Sequence, residues 1–305
     1  MVAAIDLFSG LGGWSTGARM AGVEVVWAAN HWPDAVKWHA ENHPDTAHVC
    51  QDLHQADWTK VPKHELLLAS PCCQGHSKAR GKKSGNPQHD ASRSTAWAVV
   101  SALEFHRPEF AIVENVPEFM QWLLYPAWEQ AMRSLGYQLS PQIIDCADLG
   151  VPQNRVRLFI VCTKSKKPLE LDLPSLEHVP ATTFIDMNHH RWSKIEKKGR
   201  AQATLDRIQA GRIAFGDQFV FSYYGNTKTG RAMGRPIGTI TTRDRWAVVS
   251  GDYMRMLTAD ENLAAMSFPP ETKRPDNHRL AVHLAGNAVA PLAGSRIIEA
   301  LLRQA

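Results

Sequence analysis

The chain has 305 residues, a formal charge of +4, 44% hydrophobic and 21% charged residues. That length admits one large domain or two modest ones and can bury a core without staples, and the ordinary composition excludes a disordered, collagen-like or disulfide-scaffold protein. No stretch approaches about eighteen consecutive apolar residues, which argues against a membrane span.

The first segment, MVAAIDLFSG, carries no basic stretch before its apolar run and does not read as a signal peptide. Ala3–Phe8 reads as a strand that ends at a glycine cluster, with a helix predicted from Trp14 to Met20. The joint, Asp6-Leu7-Phe8-Ser9-Gly10-Leu11-Gly12-Gly13, lets backbone approach a ligand at a helix N-terminus. Its spacing is not GxGxxG, so a dinucleotide pyrophosphate is not the first expectation, and a purely structural turn stays open. Val23–Ala29 is a second apolar run, followed by Trp32 and a helix over Pro33–Glu41. The Trp32 indole suits stacking on an adenine face or plain core packing. His48–Cys50 is a short strand before Asp52, a carboxylate able to accept from an adenine amino group.

Leu66–Ala69 is a buried strand leading into Ser70-Pro71-Cys72-Cys73-Gln74-Gly75-His76-Ser77, at the sheet edge where open α/β sheets bind ligands. A thiol there, close in sequence to His76, Lys78 and Arg80, is expected to have a lowered pKa, and a fall of one or two units from about 8.5 would make thiolate abundant at neutral pH. Zinc is the competing reading, which adjacent cysteines suit poorly; a buried structural pair also stays open. The five cysteines, Cys50, Cys72, Cys73, Cys146 and Cys162, contain no CxxC spacing, as expected of free thiols in a reducing compartment. The following segment, Lys78–Arg93, holds five basic residues against Asp90 and reads as a basic loop beside the thiol.

Thr95–Phe105 has helical spacing, and Phe110–Val113 reads as a strand ending at Glu114-Asn115-Val116, whose carboxylate would face the same sheet edge as Cys73. Glu118–Leu135 reads as one helix stopped at Gly136. Gln142–Ile144 and Arg157–Cys162 are the last two strands, the second opened by Gln153-Asn154-Arg155-Val156-Arg157. Arg155 and Arg157 alternate by two, so both are expected on one face, where they suit phosphate, a carbonyl oxygen or surface ion pairs. Strands alternating with helices predict a mostly parallel, Rossmann-like α/β sheet covered on both faces. After Met187 the alternation stops. Asn188–Arg245 carries 12 Lys+Arg against 4 Asp+Glu, a surplus of +8, while the remainder carries 22 against 26. That suggests a polyanion-binding face, with a solvated surface as the alternative. The aromatics within it (Trp192, Phe215, Phe219, Phe221, Tyr223 and Tyr224) are expected to be mostly the core of a small domain.

These pieces, in this order, resemble the C5-cytosine-specific DNA methyltransferase family of bacterial or phage type. DLFSGLGG, ASPCCQGHS, ENV and QNRVR are similar to its first, nucleophile, carboxylate and paired-arginine motifs. Arg255–Pro269 is similar to the structural motif that follows target recognition, and Gly286-Asn287-Ala288-Val289 to the motif closing the cofactor pocket. The resemblance implies a class I S-adenosylmethionine-dependent catalytic domain over residues 1–187 plus 278–305, with a target-recognition domain and hinge over 188–277. It implies methyl transfer to C5 of a flipped-out cytosine in a specific duplex DNA sequence, through a covalent Cys–C6 adduct, leaving S-adenosylhomocysteine. By position, Cys73 is the nucleophile, Glu114 the carboxyl at the Watson–Crick edge and Arg157 the O2 contact, with Arg155 supporting the site or a phosphate. The cofactor would meet Phe8, Gly10, Leu11, Gly12, Gly13, His31, Trp32, Asp52, Leu53, Asn287 and Ala288. DNA would meet Gln74, Ser77, Lys78, Arg80, Arg93, Gln153, Arg231, Arg235, Thr239, Ile240, Thr241 and Arg243; no metal is implied. Arg231, Arg235, Arg243 and Arg245 have the fork that reads guanine edges.

Two departures stand out. Cys72 occupies the place of the family's proline, and His31 stands where the family has the acidic residue that holds the ribose hydroxyls; a neutral imidazole bonds a hydroxyl without charge assistance. The alternatives are a cytosine-C5 methyltransferase acting on structured RNA such as tRNA, a catalytically silent DNA-binding subunit and, more distantly, a nicotinamide dehydrogenase. The expected setting is a monomer in the cytoplasm, at the nucleoid of a bacterial or phage-infected cell, with no membrane attachment, beside duplex DNA and a cognate restriction endonuclease.

Overall fold

The alternating apolar runs assemble, in the computed structural model, into a seven-stranded sheet; residues 2–72, 95–224 and 227–305 are described. The strands are β1 (Ala3–Leu7), β2 (Glu24–Asn30), β3 (Ala47–Cys50), β4 (Leu66–Ala69), β5 (Phe110–Asn115), β6 (Gln138–Asp145) and, after a two-residue β7 (Gln153–Asn154) outside the sheet, β8 (Val156–Thr163). Their order is β3-β2-β1-β4-β5-β8-β6. Pairing is parallel from β3 to β5, and β8 runs antiparallel to β5 and β6. The expected mostly parallel, Rossmann-like sheet is therefore present. Pro141 sits within β6, which is the sheet edge, where a missing N–H breaks no ladder.

Period-two alternation divides the central strands between two cores. Ala4, Leu66, Leu68, Ile112, Phe159 and Val161 face one side, under helices α1 (Gly13–Met20) and the C-terminal helix (Pro291–Gln304). Ile5, Leu7, Leu67, Ala111, Val113 and Ile160 face the other, under helices over Ala96–His106 and Tyr125–Ser134. With both faces covered, the strands read as continuous apolar runs.

The single helix expected over Glu118–Leu135 is instead a short 3-10 turn, Pro117–Gln121, and a helix, Tyr125–Ser134. Pro126 supplies the reason: it has no N–H to donate and its ring crowds the preceding turn, so it belongs near a helix start. Among the described residues, no helix is long and apolar enough to cross a membrane.

The basic segment has its own small sheet. Strands β9 (Ser193–Lys194), β10 (Gln218–Ser222), β12 (Trp246–Ser250) and β13 (Tyr253–Met256) pair antiparallel in the order β10-β12-β13-β9, while β11 (Ile237–Gly238) pairs instead with β7. A helix over Gln202–Phe215 covers one face, closing a core of Ile195, Ile208, Phe219, Phe221, Ala247, Val249 and Met254. The opposite side, through Val220, Trp246 and Val248, joins the first large core. Phe219 and Phe221 are thus core, while Phe215 is partly exposed and Tyr223 and Tyr224 are half-buried. The exit from the small sheet is held by the buried Arg255–Glu261 pair at 2.6 Å and by a capping box between Thr258 and Glu261.

Candidate active site

Because β1 to β5 are parallel, their C-terminal ends lie along one edge. After β1 the chain turns through left-handed backbone at Phe8, Gly10 and Gly12, closed by a Gly12 N–H donating to the Ser9 carbonyl at 2.8 Å. Helix α1 then starts at Gly13, where an added Cβ would lie 2.1 Å from the Val289 carbonyl oxygen. No side chain fits there, so the glycine turn is pressed against the Gly286–Val289 segment.

A buried polar layer backs this turn. Ser15 donates to Asp6 at 2.8 Å and meets His39 at 2.9 Å; His39 in turn meets His48 at 2.7 Å. His43 meets Thr16 at 3.2 Å, and burial holds its pKa down at about 3. These histidines were not singled out from the sequence. The signal available was the i, i+4 spacing of His39 and His43 on the helix Pro33–Asn42 and its cap, which is not specific to any chemistry.

The predicted cofactor residues ring this edge unevenly. Phe8 and Trp32 are half-buried, and His31, Asp52 and Asn287 are exposed. Trp32 packs edge-on to His283 with ring centroids 5.2 Å apart, and Asp52 accepts from the His54 N–H at 3.0 Å. Leu11 and Leu53 are buried in the two large cores, and Ala288 is buried beside them. An aromatic, a carboxylate and a left-handed glycine turn at adjacent strand ends fit an adenosine-bearing methyl donor.

Further along the edge, the Asn115 amide donates to the Pro71 carbonyl at 3.1 Å, and the Cys72 N–H donates to Thr95 Oγ1 at 3.1 Å. These two bonds brace the entry to the cysteine segment, a role for Asn115 and Thr95 that the sequence reading did not assign. Cys73, Gln74, Ser77, Lys78, Arg80 and Arg93 lie outside the described residues. At the end of β5, Glu114 Oε1 is 3.1 Å from Arg157 Nε, with both side chains largely buried. The pair sits across antiparallel strands β5 and β8. Beside them Cys146 is fully buried, and burial pushes its thiol up to about 12, so it stays protonated.

Arg155 and Arg157 do not act as two equivalent arginines on one face. Arg155 precedes β8, is 2% exposed, and donates to the carbonyls of Ile240, Gly286 and Ala288 at 3.0, 3.1 and 2.9 Å. A guanidinium so placed holds backbone rather than reaching for a phosphate. Gln153 corrects likewise: it is 0% exposed, donates to the Ala265 carbonyl at 3.0 Å and accepts from the Ile240 N–H at 2.7 Å. Ile240 is 1% exposed, so it too turns its side chain inward. Thr239 donates to the Asn154 carbonyl at 2.8 Å, and Thr241 abuts Gly286, where a Cβ would lie 2.2 Å from the Thr241 carbonyl carbon. Gln153, Arg155, Ile240 and Gly286 therefore form a knot joining the glycine turn, the arginine strand and the recognition segment. Of the arginines in that segment, Arg235 and Arg243 are exposed, Arg231 is half-buried, and Arg245 is held against Tyr223 and Tyr224.

Comparison with known proteins follows the same lines. The family profile described as C-5 cytosine-specific DNA methylase matches residues 2–303. Type II methyltransferase M.DdeI of Desulfomicrobium norvegicum is 30% identical, over 97% of this chain and 87% of its own. Type II methyltransferase M1.HphI of Haemophilus parahaemolyticus is 26% identical, over 98% of this chain and 86% of its own. Among solved structures, methyltransferase EhMeth of Entamoeba histolytica superposes with a TM-score of 0.71 at 16% identity, over 99% of this chain and 98% of its own, a likeness of fold.

Proposed function

We propose, from the premise that this chain belongs to the C-5 cytosine-specific DNA methylase family, that it methylates C5 of a flipped-out cytosine in a specific duplex sequence through a covalent Cys73–C6 adduct. Membership makes it an S-adenosylmethionine-dependent DNA (cytosine-5-)-methyltransferase with type II restriction–modification relatives. The observation that carries the finer reading is the Glu114–Arg157 pair at 3.1 Å, at the strand edge into which the cysteine segment leads.

Bound S-adenosylmethionine supplies an electrophilic methyl sulfonium, and Phe8, the Gly10–Gly13 turn, Trp32, Asp52 and Asn287 are the residues that would hold it. Cytosine C5 is too electron-poor to take that methyl directly. The Cys73 thiolate forms an S–C6 bond, and the C5–C6 electron pair makes C5 nucleophilic, splitting one hard step into easier ones. The Glu114 carboxyl group holds the proton at N3 while charge builds there. Arg157, fixed against Glu114, offers a donor to O2 and stabilises charge developing on the ring. After transfer a base removes the C5 proton and the S–C6 bond breaks, returning the thiolate. Extruding the cytosine from its stack costs a few kcal/mol, which binding of the basic segment to duplex phosphates would offset.

Residues 188–277 are assigned to target recognition and the remainder to catalysis, with a monomer working in the cytoplasm beside a cognate endonuclease. Incubation with labelled S-adenosylmethionine and either duplex DNA or tRNA tests the reading, with Cys73→Ser in parallel. Label is expected in duplex DNA only, lost in the variant, and trapped as a protein–DNA species by 5-fluorocytosine. Label confined to tRNA, or a trapped species that survives Cys73→Ser, overturns it.

A further inference from the structure

The recognition segment contains a cleft of about 490 Å³, distinct from the Glu114–Arg157 edge. Its walls include Phe221, Tyr224 and Trp246, and Thr229, Arg231 and Thr241 also line it. The Arg231 backbone is fixed by reciprocal bonds with Val220: its N–H donates at 2.7 Å and its carbonyl accepts at 3.1 Å. The side chain therefore leaves a strand-like pairing, not a free loop. A Cβ built on Gly238 would lie 2.5 Å from the Trp246 ring and 3.4 Å from Arg231 Nη1. The absent side chain leaves room for the indole and for the guanidinium beside it.

The polar groups around this cleft fall into two sets. The Tyr224 hydroxyl and the Trp246 Nε1–H both donate to the Thr239 carbonyl, at 3.1 and 3.3 Å. Arg245 donates to the Tyr223 carbonyl at 3.2 Å. By contrast, the Arg231 guanidinium has no side-chain hydrogen bond and no ion pair among the described residues; burial and the nearby charge of Arg235 hold its pKa below the usual value, against the weaker opposing pull of the Asp145 carboxylate. Thr229 Oγ1 is buried and also has no partner among the described residues. A half-buried guanidinium that bonds no acceptor, next to an unbonded hydroxyl, is costly unless something else supplies acceptors.

A planar fork matches two adjacent acceptors. In duplex DNA two groups offer them: a backbone phosphate, and the O6/N7 edge of guanine in the major groove. A phosphate would have to give up water against the half-buried Tyr224 ring, which is unfavourable for a full charge, whereas a base carries an apolar face suited to that ring. We propose that Arg231 is the specificity-determining residue of this cleft and reads the acceptor edge of one guanine in the methylated sequence. The proposal rests on the duplex-DNA reading above and names a feature of its target.

The test is methylation of a randomised duplex library by the full chain and S-adenosylmethionine, with the modified sequences read by bisulfite sequencing. The wild-type profile is expected to require guanine at one position. Arg231→Ala and Arg231→Lys are both expected to relax that position alone by about 10- to 100-fold, because neither side chain keeps the fork. Thr229→Val is expected to relax the same position by a smaller factor, and it carries the test should Arg231→Ala fail to fold. A guanine requirement retained in Arg231→Lys, a loss spread evenly over all sequences with a shallower salt dependence, or an unchanged profile overturns the assignment and leaves the functional reading standing. A wild-type chain that methylates no duplex in the library overturns the reading itself.

Discussion

The parallel-sheet body and the basic recognition segment treat their polar side chains in opposite ways. In the body they are mostly turned on one another: Asp6 on Ser15, His39 on His48, Glu114 on Arg157, Arg155 on three carbonyls. In the segment, Arg235 and Arg243 stand exposed and Arg231 faces a cleft. These bonds within the body let it hold a geometry. Arg200, Arg207, Arg212 and Arg245 are tied down within the segment, but Arg231, Arg235 and Arg243 leave donors open, as expected of a surface completed by another molecule. Acid should reach the first region, and salt, by screening phosphate contacts, the second.

Glu114→Gln should show the largest effect. It keeps the shape of β5 but removes the carboxyl acid–base function, and the rate of methyl transfer is expected to fall by roughly 10²- to 10⁴-fold, with the guanine requirement of the segment unchanged. Single-turnover kinetics on one duplex measures it; a variant within a few-fold of wild type would place the chemistry elsewhere. Gly13→Ala comes next. With the Val289 carbonyl 2.1 Å from the new methyl, the clash should cost roughly 3 kcal/mol or more, read as a shift in the urea midpoint. A shift within experimental error would mean that the turn and the Val289 segment are not in contact.

The smallest effect is on stability in mild acid. His43 and His64 are buried, with pKa values held at about 3 and about 4. Unfolded histidine takes up its proton near pH 6.5, so this contribution is complete above about 6.5 and is lost as pH falls toward the folded values. Each histidine should remove roughly 2 kcal/mol between pH 7 and 5, at about 1.4 kcal/mol per unit. Urea titrations at the two pH values check it, and His43→Asn should flatten the slope. Equal stability at both would show that water reaches these rings.

Much of the body was legible because strand and helix periods are local. The β1 strand, its glycine turn and the runs at Leu66–Ala69 and Phe110–Val113 stand in the sequence much as they do in the sheet. The break at Pro126 was also written there, but the strong apolar spacing around it masked the proline. What could not be read was any pairing across long separations. Arg155 looks like a partner of Arg157 when only alternation is considered. Its true neighbours, Ile240, Gly286 and Ala288, lie 85, 131 and 133 residues away. Gln153 was grouped with residues facing DNA for the same reason. The cleft around Arg231 needed the fold, since Gly238 and Trp246 come together with it only through the small sheet.

The knot at Ile240 bears on how a foreign specificity module could be spliced into this chain. The bonds that Gln153 and Arg155 make to Ile240 run from their side chains to its backbone. The bonds to Ile240 are blind to residue type, and residue type enters through the buried Ile240 side chain and the Thr239 hydroxyl that donates to the Asn154 carbonyl. A transplanted module would have to keep a compact apolar residue there, the threonine before it and the apolar face that joins the first large core, while its remaining positions are free to vary with the sequence they read.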